Sequence, residues 1–165
     1  MLFRSKDILE SLGVEFIYHE NPEEMLPNIW TTGVVPRVYN EKNWSGYREI
    51  IEDNIPEDQS IVINTDKGLV LVSGCGHAGI VNTLKHTDDM FQKSSDISVA
   101  IGGFHLFNKT DKEIKWTSKN MKKYGVRKFI GAHCTGIDAV YSIRKNNRMD
   151  RANCVVGAVG SIYDY

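Results

Sequence analysis

Cysteine is scarce in this chain. Three in 165 residues, Cys75, Cys134 and Cys154, form an odd set with no regular spacing. A disulfide framework is therefore excluded, and a reducing, cytoplasmic setting is the expectation. Proline is also sparse: all four, Pro22, Pro27, Pro36 and Pro56, precede residue 57. Charge of one sign is missing, since 20 Lys and Arg stand against 21 Asp and Glu, for a net charge of −1 and a pI near 6.5. Without a basic field the chain is not expected to bind nucleic acid. No apolar run approaches the ~20 residues of a membrane span, and Met1–Lys6 has no apolar stretch of a secretory signal, so no membrane partner is expected. No Walker loop and no Ser-His-Asp order occurs, and Gly74-Cys75-Gly76 lacks the third glycine of a dinucleotide fingerprint.

What remains is the composition of a folded domain, with 41% hydrophobic and 25% charged residues. At this length one domain over 1–165 is expected, with core enough to need no staples. Residues 5–12 read as a short helix closed by Gly13, and Val14–Tyr18 as a strand. From Glu20 to Pro56 the pattern is irregular, apart from a strand at Ile29–Thr32, so residues 1–56 form an irregular N-terminal segment of the domain. Ser60–Asn64 and Leu69–Ser73 are β-rich runs joined through Thr65-Asp66-Lys67-Gly68, which fits a hairpin.

A pattern then repeats three times: an apolar strand, a short loop reaching a histidine, and a helix. Leu69–Ser73 leads through Gly74-Cys75-Gly76 to His77 and a helix over about 78–90. Ile97–Ile101 leads through Gly102-Gly103-Phe104 to His105 and a helix over about 110–124, with Thr110 and Glu113 forming a capping box. Val126–Gly131 leads to His133, then Cys134-Thr135-Gly136 and a helix ending near Asn147. Cys154–Val159 follows as a strand, and Ser161–Tyr165 reads as one more. The histidines stand 28 residues apart each time, about the length of a strand, a helix and their connections.

Strand–helix alternation of this kind argues for an α/β sheet. Each histidine lies just past the carboxyl end of its strand, the edge at which loops of open α/β sheets converge on ligands. His77, His105 and His133 are therefore candidates for one metal site, since three imidazoles can hold zinc and leave a coordination position open. Taken singly, a histidine at a strand end is more often a hydrogen-bonding loop residue, and the equal spacing is partly coincidence because loops vary freely. His19 and His86 do not share the pattern and read as solvated or structural. Cys75 reads as a small buried residue and Cys134 as an inert thiol beside His133. The start of the helix after Thr135-Gly136 could hold an anion. Arg37 is open to two readings, a phosphate contact or a surface salt bridge.

The strings LVLVSGCGHAGIVNTL (69–84), IGGFHLF (101–107) and AHCTG (132–136) resemble the later motifs of the metallo-β-lactamase superfamily. Within it they are most similar to the branch of 7,8-dihydropterin-6-methyl-4-(β-D-ribofuranosyl)aminobenzene 5′-phosphate synthases. IWTTGVVPR (29–37) and IPEDQSIVINTDKG (55–68) resemble the same branch, so the likeness covers nearly all of residues 25–163. It implies that His77 and His133 are metal ligands, with His105 in the segment where many members place a bridging aspartate. It implies an αββα sandwich of two sheets with a dinuclear site at one edge. Two departures stand out. The motif H-x-H-x-D-H is absent, since no two histidines here lie two residues apart, and Val34 replaces an acidic residue of the branch.

The expected fold is therefore α/β, the C-terminal half of that sandwich: a mixed sheet covered by helices on one face, the other face apolar and in need of a partner. The expected function is metal-dependent hydrolysis or transfer on a phosphate-bearing small molecule, with zinc or another divalent transition metal on His77, His133 and His105. Arg37, Thr135 and Gly136 would meet the substrate. The site would be incomplete without the H-x-H-x-D-H half, supplied in trans, and a homodimer is the alternative cover for the open face. The contrasting reading is a non-catalytic metal-binding or interaction subunit.

Overall fold

The computed structural model describes residues 2–41, 44–45, 51–52 and 58–164. Helix α1 (Leu2–Ser11) opens the chain, followed by strands β1 (Glu23–Leu26) and β2 (Ile29–Thr31). A short antiparallel pair, β3 (Trp44–Ser45) with β4 (Ile51–Glu52), forms a separate small sheet. Then come β5 (Ser60–Thr65), β6 (Gly68–Ser73), α2 (Ile80–Met90), β7 (Val99–Gly102), α3 (Asp111–Lys123), β8 (Lys128–Gly131), α4 (Ile137–Asn147) and β9 (Cys154–Val156). A 3-10 turn over His133–Thr135 joins β8 to α4.

The large sheet has seven strands in the order β1-β2-β5-β6-β7-β8-β9. Its first half is antiparallel, with hairpins joining β1 to β2 and β5 to β6, where Thr65 stands opposite Gly68 at the turn. From β6 onward the strands are parallel, as the helical connections require. The expected mixed α/β sheet is what the chain forms.

Strand alternation decides which side chains are buried. Along β6, Leu69 and Leu71 are fully buried while Val70 and Val72 are only half-buried. Val62, Leu69, Leu71, Ala100, Phe129 and Cys154 pack beneath Ile80, Val81 and Leu84 of α2, Ile114 and Met121 of α3, and Ala139, Val140 and Ile143 of α4. Phe104 meets Phe129 at a ring separation of 5.5 Å in the middle of this layer. The other face carries Ile61, Val70, Val72 and Ile101, of which Ile61 is 42% exposed. The C-terminal stretch stays near its β8–β9 end, where the Lys128 ammonium donates to the Asp164 carbonyl and the Gly157 N–H to the Gly131 carbonyl.

The capping box on α3 is present: the Thr110 N–H donates to Glu113 Oε2 at 2.8 Å, and the Thr110 hydroxyl accepts from the Glu113 N–H. Several elements differ from expectation. Val14–Tyr18 forms no strand: among the described residues no strand pairs with it, and Ile17 and Tyr18 stay exposed. β1 is an edge strand whose four residues are all exposed, so it carries no apolar alternation to read. The strand expected over Cys154–Val159 ends at Val156, and Ser161–Asp164 is not a strand. The irregular reading of residues 20–56 lies partly outside the described residues.

Candidate metal centre

Three loops leave the carboxyl ends of β6, β7 and β8 side by side, and glycines let them touch. A Cβ on Gly102, whose φ is +131°, would stand 1.9 Å from the Ser73 carbonyl oxygen. One on Gly103 would meet the Gly74 carbonyl oxygen at 2.4 Å and Cys134 Sγ at 3.1 Å. Thr135 stitches the same loops: its buried hydroxyl donates to the Gly102 carbonyl and accepts from the Phe104 N–H.

The loops bring the predicted histidines to one edge. The His77 and His105 rings lie 5.0 Å apart, centroid to centroid. His105 Nδ1 is 3.5 Å and His133 Nδ1 3.8 Å from the sulfur of Cys75. His105 is buried, His77 half-buried and His133 exposed, so the cluster runs from the protein interior to its surface. His105 and His133 both hold left-handed backbone conformations, with φ of 49° and 48°. Non-glycine residues adopt that region at a cost and gather at functional sites.

Both cysteines beside the histidines are half-exposed and join the cluster, which corrects the reading of Cys75 as a buried filler. Cys75 Sγ and Cys134 Sγ are 3.0 Å apart, and the His105 N–H donates to Cys134 Sγ at 3.2 Å. The donor atoms of Cys75, His105 and Cys134 all lie within 4.8 Å of one another. Imidazole nitrogen and thiolate sulfur are the donors zinc prefers, so this set fits a zinc-type cation. The third cysteine, Cys154, is buried in the core, where burial raises its pKa.

The first histidine loop is anchored from the N-terminal part of the chain. Arg37 Nη1 donates to the His77 carbonyl at 2.7 Å, and the Ala78 N–H donates to Asp58 Oδ2 at 2.7 Å. Glu41 closes the start of α2, accepting from the Asn82 N–H at 2.7 Å with its carboxyl packed against Gly79. Burial pushes its pKa up to about 7, against the pull of the Asn82 and Val81 N–H groups and of Lys109 and Arg37. Asp58 and Glu41 carry no motif in sequence, and only contacts across 20 and 41 residues reveal them. Gly136, with φ of 81°, begins α4 and lies against Phe107. His86 and His19 stay outside the cluster; His86 Nε2 meets the Thr32 carbonyl and His19 pairs with Glu23.

A cavity of about 690 Å³ is lined by Ile17–Asn21, Val34 and Gln59 and includes none of the three motif histidines. Among the described residues no helix is long and apolar enough to cross a membrane.

No protein-family model matches the chain. It is 32% identical over 145 residues to 7,8-dihydropterin-6-methyl-4-(β-D-ribofuranosyl)-aminobenzene-5′-phosphate synthase of Methanocaldococcus jannaschii, a match covering 81% of this chain and 48% of that protein. An uncharacterized protein of the same organism is 29% identical over 160 residues, covering 94% of this chain and 56% of the relative. The chain thus spans about half the length of the curated relatives it matches. The crystal structure of a metal-dependent hydrolase of the β-lactamase superfamily aligns with a TM-score of 0.72 at 28% identity, covering 91% of this chain and 59% of the other. The chain therefore has the mixed α/β fold of a metallo-β-lactamase superfamily hydrolase, and in sequence it is similar to the phosphate synthase over about half of that relative's length.

Proposed function

We propose that this chain supplies one half of a metal-dependent hydrolase or transferase centre acting on a phosphate-bearing small molecule. The observation that carries the reading is the convergence of the His77, His105 and His133 loops at the carboxyl edge of three adjacent parallel strands. These imidazoles would hold zinc or a similar divalent metal, which when bound supplies Lewis-acid polarisation of a phosphoryl oxygen. Of the similar proteins, one is named as the synthase of a phosphate-bearing pterin compound and the other as a metal-dependent hydrolase, which supports a phosphate-bearing substrate and a metal.

The chain's own residues bind and orient. The exposed Arg37 guanidinium, already beside the His77 loop, offers donors to a phosphate. The free N–H groups that follow Gly136 at the start of α4 offer a second contact of the same kind. Thr135 acts indirectly, since its hydroxyl is committed to holding the His105 and His133 loops together. Phe107, 59% exposed with its ring 5.3 Å from His105, forms an apolar wall at the rim.

Two things needed for turnover are not among these residues: a carboxylate placed to accept the proton of the attacking water, and the donors for a second metal. A segment carrying H-x-H-x-D-H, in cis or in trans, would supply both and would cover the open sheet face. Without it, a second copy of the chain is the simplest cover.

The test is complementation. The chain is co-expressed with the H-x-H-x-D-H-bearing part of a relative, and turnover of a chromogenic phosphodiester is measured with and without added zinc. Metal-dependent turnover by the pair, at least tenfold above either part, supports the reading. No gain would favour a non-catalytic metal-binding or interaction subunit.

A further inference from the structure

We infer that Cys75, Cys134 and His105 form a sulfur-ligated metal site within this chain, with its fourth coordination position left open. The assignment deepens the proposed centre and rests on it through His105, which both share, while adding two thiols that centre does not use and needing no second segment.

Around a tetrahedral zinc-type ion, bonds of about 2.3 Å to sulfur and 2.0 Å to nitrogen set sulfur and nitrogen about 3.5 Å apart. Two sulfurs on the same ion stand about 3.8 Å apart. Cys75 Sγ lies 3.5 Å from His105 Nδ1 and 3.8 Å from His133 Nδ1. The Cys75–Cys134 sulfur separation of 3.0 Å needs to open by under 1 Å, well within the reach of one χ1 adjustment. Both histidines present the same ring nitrogen, Nδ1, to the same sulfur.

The surroundings hold these atoms in place. Gly103 admits Cys134 Sγ where a Cβ would crowd it at 3.1 Å. The His105 N–H donates to Cys134 Sγ, which orients the sulfur, and the Cys134 carbonyl accepts from the Leu106 N–H, which ties the loops together. His105 and His133, the two histidines that approach the Cys75 sulfur, both hold left-handed backbone. Two thiolates with imidazole select a borderline or soft cation such as zinc over magnesium or calcium. Binding releases two protons to solvent, one from each thiol.

The test uses cobalt(II) as the probe, added anaerobically to the full chain with a phosphine reductant. The expected result is a strong near-ultraviolet sulfur-to-cobalt charge-transfer band that saturates at about one cobalt per chain. Cys154→Ser retains the band. Cys75→Ser and Cys134→Ser each lower it by about half or more, the double variant abolishes it, and His105→Ala weakens cobalt affinity at least tenfold. A second measurement needs only the wild-type chain: zinc should slow alkylation of Cys75 and Cys134 at least tenfold, read peptide by peptide by mass spectrometry, and leave Cys154 unchanged. Cobalt binding without the band, or equal alkylation with and without zinc, would overturn the site. Neither readout involves turnover, so failed complementation leaves this result standing, and the reverse also holds.

Discussion

Glu41 shows how much of this molecule depends on single side chains reaching across the sequence. Its carboxyl lies under the first turn of α2, and burial raises its pKa from 4.5 to about 7. Between those values the folded state holds a proton that the unfolded chain has released. The group's contribution to stability is therefore complete below about pH 4.5 and falls as pH rises through 7. In urea unfolding, Glu41→Gln should remove a loss between pH 5 and pH 8 of up to about 3 kcal/mol, because Gln can still accept from the Asn82 N–H. An unchanged pH slope in the variant would show that Glu41 does not titrate there. At this scale His77, His105 and His133 were legible, because each follows a strand directly. Cys75 and Cys134 were not: their sulfurs meet across 59 residues, and neighbouring letters carry no record of that. Asp58, which receives the Ala78 N–H, was hidden for the same reason.

Among the elements, those from β5 to α4 are the ones their own sequences specify. Apolar strands, glycine-rich loops and the Thr110 capping box agree with the helices and parallel pairing that form. Thr110→Ala should destabilise by about 1 kcal/mol, seen as a lowered urea midpoint with an unchanged m-value. β1 shows where local reading fails. Glu23–Leu26 is wholly exposed and becomes a strand through pairing with β2 across the turn at Pro27-Asn28, where Asn28 has φ of 65°. Val14–Tyr18 shows the converse, a β-rich run that finds no partner among the described residues.

Across the whole molecule, helices α2, α3 and α4 cover one sheet face, while Ile61, Val70, Val72 and Ile101 remain on the other. Apolar faces of this kind are normally covered. Sedimentation of the isolated chain at tens of micromolar should therefore show a dimer, and Ile61→Lys should shift it toward monomer. A monomer at every concentration would mean that the face needs no cover. The central claim concerns the loops above that face, and His133 tests it most directly, because it is the most exposed of the three histidines and its replacement disturbs the core least. In the complemented complex, His133→Ala should lower metal-dependent phosphodiester turnover by on the order of 100-fold or more with the circular dichroism spectrum unchanged. Turnover equal to that of the unaltered complex would contradict the account.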